Sequence, residues 1–266
     1  MVNRRHVPWI LLIPGLLAIA FLVLPMLGLL AQAPWGSFGT LLSDPVTRDA
    51  LRISAISSLC ATAICVVLGT PLAWLLARNA LPGTRFIRAL VVVPLLLPPV
   101  VAGVSLLTAF GRRGFAGAFL YDHFGIQFPF TTAGVVLAET FVAMPFLIIT
   151  VEAGFRGLQK DYEESAATLG ASPAQTFRYV TLPLVGPALL SGVVLCWARA
   201  VGEFGATIGF AGNFPGVTQT MPLAIYSQLE VDRSLAIGLS VILLMVCLVV
   251  LVLLRRTYLR GDTSNA

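Results

Sequence analysis

The sequence predicts an all-α membrane protein with six transmembrane helices, and three features set that class. Of its 266 residues, 58% are hydrophobic and 11% are charged, against about 25% charged in a soluble domain. The mean hydropathy is +0.92. Uncharged apolar runs near the bilayer-crossing length of about 20 residues recur along the chain. Leu, Val, Ile and Phe are too abundant for a disordered chain. The four cysteines, Cys60, Cys65, Cys196 and Cys247, all fall in apolar stretches, where cysteine is a small buried hydrophobe rather than half of a disulfide. A net charge of +5 would point to nucleic acid in a soluble protein. Here it asks which side of a bilayer the arginines occupy, and no nucleic-acid partner is expected.

The first span is placed at 7–31. Arg4 and Arg5 before it and Ala31-Gln32-Ala33 after it imitate a signal peptide with its cleavage site. The run is about twice a signal core in length and Pro34 follows the cut position, so it is read as a helix. The second span, 53–77, carries Ser54, Ser57 and Ser58 with Ala55 and Ala61, small residues suited to close helix packing. The third, 89–110, holds Pro94, Pro98, Pro99 and Gly103. This is either a bendable, pathway-lining segment or irregular packing. The fourth, 133–152, is interrupted by Glu139. The fifth grows from the uncharged stretch 179–198 and is placed at 182–204, with Arg199 and Glu203 near its outer end. The sixth is 234–254. The uncharged stretch 204–229 is not a seventh span, because its four glycines, Pro215, Pro222, Asn213 and Gln219 would leave backbone groups unsatisfied in lipid. It is read as a loop with a short helix near 221–229. Together these make one transmembrane domain over 1–266.

Orientation follows from basic residues at the span ends. With the N-terminus inside, the inner side receives Arg4, Arg5, Arg78, Arg85, Arg88, Arg156, Lys160, Arg178, Arg255, Arg256 and Arg260. The outer side receives Arg48, Arg52, Arg112, Arg113 and Arg233. Eleven against five puts both termini in the cytoplasm and residues 205–230 outside.

The inner loop 156–182 holds more structure than the others. Asp161 is placed to cap a helix, with Glu164 reaching back as in a capping box. The helix stops at Gly170, a natural left-handed C-terminal position. Ser172 caps a second helix with Pro173 at its first position and Gln175 in the capping-box place, and Pro183 begins the next span. Ser165, Ala166 and Ala167 make the first helix slim. It has few large apolar side chains to insert into lipid, so a groove on another protein suits it better.

Glu164-Ser165-Ala166, then Gly170, then Val180-Thr181-Leu182-Pro183 resemble the "EAA" loop of bacterial ABC importer permeases, with Ser165 where that family usually has Ala. The run 198–207 (ARAVGEFGAT) resembles the oxyanion importers for sulfate, thiosulfate and molybdate. Ala211-Gly212-Asn213 and the run 218–226 (TQTMPLAIY) are more similar to the molybdate than to the sulfate permeases. The resemblance covers about residues 49–254 and implies the type I permease architecture of ABC importers. It implies a homodimer in a bacterial inner membrane, with cytoplasmic ABC ATPase subunits docked at Asp161 to Gly170 and an extracytoplasmic molybdate-binding protein outside. Molybdate is the implied substrate, and tungstate is not separated from it. Sulfate or thiosulfate transport is the alternative within the class, and a membrane enzyme or autonomous channel the alternative outside it.

Catalytic signatures are missing from the sequence. It holds no Gly-x-x-x-x-Gly-Lys-Ser/Thr loop, its one lysine is Lys160, and neither HExxH nor GxSxG occurs. His6 and His123 are read as solvated surface residues. No metal ligand, no cofactor and no ATPase site of its own are expected, so energy must come from a partner. Glu139, Arg199, Glu203, Pro98 and Pro99 are the candidates for the pathway or for pinning helices, because charge inside a membrane is expensive. Arg199 either attracts a tetrahedral dianion or pairs with Glu203 or Glu139. The pairing is favoured, since acids beside the arginine oppose anion binding and a permease should not hold its cargo tightly.

Overall fold

The computed structural model describes residues 9–260, so Arg4, Arg5, His6, the first two residues of the 7–31 span and the C-terminal tail lie outside the described residues. The elements in order are α1 (Trp9–Ala31), a 3₁₀ turn (Trp35–Ser37), α2 (Phe38–Ser43), α3 (Pro45–Ala77), α4 (Thr84–Leu96), α5 (Pro99–Phe110), α6 (Phe115–Phe124), α7 (Thr132–Gly157) and α8 (Lys160–Thr168). There follow α9 (Pro173–Thr176), a π turn (Phe177–Thr181), α10 (Leu182–Val201), α11 (Gly205–Phe210), α12 (Met221–Leu229) and α13 (Arg233–Arg260).

Three helices make the frame. α7 lies between α3 and α10, and all three share one core that includes Ala61, Cys65, Leu147, Val151, Val185 and Cys196. Small residues set their separation. A Cβ added at Gly154 of α7 would stand 2.4 Å from Cβ of Ala188 on α10, and one at Gly69 of α3 would stand 2.8 Å from Cδ2 of Leu147 on α7. Without a hydrophobic force between helices in lipid, such close contact is what holds them together. Ser54, Ser57, Ser58 and Ala61 are buried on the inner face of α3, whereas Ala55 is exposed. A second core joins α5, α7 and α11 through Ala102, Leu106, Ala138, Val142, Ala206 and Phe210. A third joins α3, α12 and α13 through Ala50, Met221, Ala224, Leu239 and Ile242. α1 touches α13 and buries none of its residues.

Among the described residues five helical stretches are long and apolar enough to cross a bilayer: Trp9–Ala31, Pro45–Ala77, Thr132–Gly157, Pro173–Val201 and Arg233–Val250. The expected third span, 89–110, is not one helix. α4 and α5 are bent by 117° at Leu97 and Pro98. Leu97 takes an extended ψ of 131°, as a residue before proline must, and Pro99 is the first residue of α5. The pair counts as a sixth crossing only as a broken one. The fifth span ends early, at Val201 rather than 204, while three other boundaries move outward because charged turns extend the helices beyond the apolar runs. α3 starts at Pro45 rather than residue 53, since Asp44 accepts the Thr47 amide at 3.0 Å and Pro45 sits at the first position. α4 starts at Thr84 rather than residue 89, taking in Arg85 and Arg88. α7 continues past residue 152 to Gly157, with Glu152 and Arg156 paired one turn apart at 2.7 Å.

Pro183 is in the first turn of α10, as expected, but the helical path does not stop before it. Pro173–Val201 is helical throughout, with Pro183 inside it. Proline clashes with the carbonyl four residues before it, here Tyr179, and that residue lies in the π turn, where the Leu182 amide reaches back to the Phe177 carbonyl. The wider turn absorbs the proline that a regular α-helix would reject. The stretch 204–229 is a loop holding α12 and also the unforeseen α11.

The close approach of α7 and α10 is testable. Gly154→Ala should destabilise the detergent-solubilised protein by about 1–3 kcal/mol, the usual penalty of overpacking, and adding Ala188→Gly should restore the melting temperature.

Candidate functional site

Two sites at opposite ends of the frame contain the candidate residues. At the first, α7 ends and the chain turns into α8. Gly170 is left-handed at φ +85°. The Gly170 amide bonds to the Ala167 carbonyl at 2.9 Å and the Ala171 amide to the Ala166 carbonyl at 3.0 Å, the paired bonds of a Schellman stop. The Ser172 and Gln175 capping box is complete, at 3.4 and 2.8 Å.

The start of α8 differs from expectation. Its N-cap is Gln159, without a side-chain cap bond, and Asp161 is inside the first turn. There its charge favours the helix through the dipole rather than through a cap. The Glu164 side chain does not reach back, because the helix begins two residues too early for that geometry. Asp161, Glu164 and Ser165 are exposed, Leu169 is 88% exposed, and Ala166 is half-buried. This face of α8 is open along its length.

Glu163, which sequence reasoning passed over, is turned inward. Its Oε1 receives Arg78 Nη2 from the end of α3 at 2.5 Å and Thr181 Oγ1 from the π turn at 2.7 Å. Beside it Glu152 takes Arg88 Nε at 2.7 Å, and Arg88 also donates to the Leu76 carbonyl at 2.5 Å, closing the end of α3. The signal available in the sequence was charge at the ends of spans, which identifies the residues but not their partners.

At the other end are the intramembrane charges. Arg199 Nη2 pairs with Glu203 Oε2 at 2.5 Å. Glu203 is 1% exposed, and its Oε1 takes the Ala206 amide at 2.8 Å. The pair therefore fixes the turn from α10 into α11. Glu139, also 1% exposed, accepts from Ser57 Oγ at 2.8 Å and joins α7 to α3. One turn along α3, Ser54 Oγ takes the amide of Met221 at the start of α12. Asn213 binds Ser227 at 2.8 Å and receives Gln219 at 3.0 Å, bracing the loop outside α12. Pro99 is near enough to α11 that a Cβ on Gly205 would stand 2.2 Å from its Cβ. Pro98 and Pro99 thus shape the break and seat α5 against α11. Glu139 and Arg199 are not brought together in an ion pair, and among the described residues Arg199 is committed to Glu203.

A groove of about 440 Å³ runs between α3, α10 and α13. Ser54, Ser58 and Thr62 are its polar lining, and Leu59, Trp197 and Val246 are typical of the rest. It offers no charge to a dianion. His123 is exposed and leans on the Phe119 carbonyl. Among the described residues no group of three or more His, Cys, Asp or Glu could hold a metal.

The family described as the inner membrane component of binding-protein-dependent transport systems matches residues 66–260. The molybdenum transport system permease protein of Mycobacterium tuberculosis is 44% identical over 256 residues, covering 96% of each chain. That of Escherichia coli is 42% identical over 190 residues, 71% of this chain and 82% of the relative. The sulfate transport system permease protein of Salmonella typhimurium is 35% identical over 256 residues, 94% of this chain and 92% of the relative. Among solved structures, a bacterial ABC transporter that imports the acidic polysaccharide alginate matches with a TM-score of 0.72 at 18% identity, covering 96% of this chain and 95% of the other. The fold is that of ABC importer permeases.

Arg199→Gln leaves Glu203 buried and without its counter-charge. The expected loss is about 3 kcal/mol, the low end for a buried pair because the arginine is 30% exposed. Melting of the purified protein checks it. A protein of unchanged stability with selectively impaired transport would instead make Arg199 a substrate contact.

Proposed function

We propose, from the premise that the chain belongs to the family of inner membrane components of binding-protein-dependent transport systems, that it is the membrane-spanning subunit of an ATP-driven molybdate importer. The observation that carries this reading is the near-full-length identity to a molybdenum permease, higher than that to the sulfate permease. Tungstate, nearly the same in size and charge as molybdate, belongs to the same reading.

The exposed face of α8, from Asp161 through Glu164 and Ser165 to Leu169, supports docking of a cytoplasmic ABC ATPase. Gly170 ends that helix cleanly enough for the face to be presented as a unit. ATP hydrolysis is assigned to that partner. The opposite end, with α11 and α12, is where an extracytoplasmic molybdate-binding protein would dock, and a second copy of the chain would complete the translocator. Pro98, Pro99 and the bend between α4 and α5 are the segment proposed to border the pathway. ATP binding draws the two α8 helices together and opens the far end, and hydrolysis reverses this. Each change requires nucleotide or binding protein to contact one conformation more favourably than the other. Both termini and α8 are assigned to the cytoplasm on the charge distribution.

Deleting the chain should abolish molybdate uptake in cells and leave sulfate uptake intact, with the ATPase co-purifying with the intact permease. A chain that purifies without an ATPase would favour a channel or membrane enzyme. Gly170→Val should lose most uptake while still inserting in the membrane, since a β-branched residue is strained at φ +85°. In a cysteine-free background, an impermeant maleimide applied to intact cells should label Val231→Cys and spare Ala80→Cys. The reverse pattern would invert the topology.

A further inference from the structure

We propose that Glu163 is the positioning residue through which α8 moves the transmembrane helices, a role that rests on the functional reading above. Adjacent residues on a helix point about 100° apart, so Glu164 faces outward while Glu163 faces the bundle. One carboxylate oxygen of Glu163 then gathers three elements. It takes Arg78, the residue that caps α3, at 2.5 Å, and Thr181, the last residue of the π turn before α10, at 2.7 Å. Among the described residues these are the side-chain hydrogen bonds that join α8 to the bundle.

Packing does little of this joining. An open groove of about 310 Å³ lies beside α8, bordered by Trp74, Glu163, Ala167, Phe177 and Thr181. Close-packed surfaces transmit displacement, but across an open groove the polar link is what remains. Ala167, the α8 residue that borders the groove beside Glu163, is too small to fill it. Besides the backbone links to α7 and α9, a displacement of α8 therefore reaches α3 and the π turn through the Glu163 carboxylate.

What the link pulls on is suited to respond. α3 is an unbroken helix from Pro45 to Ala77, about 50 Å long at 1.5 Å per residue. In its other half Ser57 holds Glu139 and Ser54 holds the start of α12. α3 can thus carry a tilt from one end of the molecule to the other. α10 enters through the π turn, a local widening of the kind that marks functional hinges. Phe177 in that turn rests edge-on against Trp74 with ring centroids 6.0 Å apart, which keeps the hinge on α3 as α8 shifts. Coupling requires an element with two arrangements that both sites bias, and in the proposal that part falls to this turn.

The test uses the permease assembled with its ATPase in proteoliposomes, with molybdate-loaded binding protein added on the outer side. In Glu163→Gln the ATPase should remain bound, while the ratio of stimulated to unstimulated ATP hydrolysis falls about fivefold or more and uptake falls with it. Thr181→Val, which leaves the Arg78 pair in place, should lower the ratio by less. The charge exchange Glu163→Arg with Arg78→Glu should recover most of it, a rescue that a general loss of structure would not give. Wild-type stimulation in Glu163→Gln would overturn the proposal, and so would release of the ATPase, which would make Glu163 a docking contact. If the wild-type complex itself shows no stimulation and no molybdate uptake, the functional reading fails and this proposal with it.

Discussion

Close approach of α7 to α3 and α10 is the constraint on which the rest of the molecule depends. Gly69, Gly154 and Gly192 let these helices come so near that a single added Cβ would stand within 3.0 Å of the neighbouring side chain. In lipid, dispersion across such contacts replaces the hydrophobic force that drives soluble cores together. Once the three helices are fixed, a polar group on one can be met by a group on another. Ser57 is opposite Glu139 for this reason, and an unmatched glutamate at that depth would be untenable.

The charged residues then divide by burial. Arg156, 49% exposed, adds little through its pair with Glu152, as surface pairs generally do. Glu203, buried and bonded to both Arg199 and the Ala206 amide, fixes the geometry of a turn. Glu163 is between these extremes, half-buried and shared by three elements. It holds α8 to the end of α3 and to the π turn. The worth of each pair thus follows its burial.

Irregular backbone occurs where neighbours can support it. The bend at Leu97 and Pro98 is backed by α11, which approaches α5 at Gly103 and Gly209. The π turn at Phe177–Thr181 is backed by the aromatic rings of Trp74 and Phe155. Non-helical or distorted backbone at membrane depth is stable only inside protein, so these positions mark where the bundle gives shelter.

Composition and apolar run length by themselves determined the class and five of the six expected spans, because those are properties of the chain read along its length, but they did not show the 117° bend that breaks the third. The Gly170 stop and the Ser172 cap were legible too, since each is a contact within four or five residues. The reach of α3 back to Pro45 was nearly legible in Asp44-Pro45, but hydropathy does not register a charged helical turn. Tertiary structure decided what lies across space. It gave Arg199 to Glu203 rather than to Glu139, set Ser57 against Glu139 across 82 residues, and kept Pro173–Val201 helical through Pro183 by opening a π turn. It also turned Glu163 inward, onto an arginine 85 residues away. A side chain's partner is chosen by which helices meet and how they are rotated, and that is settled only when the whole bundle packs.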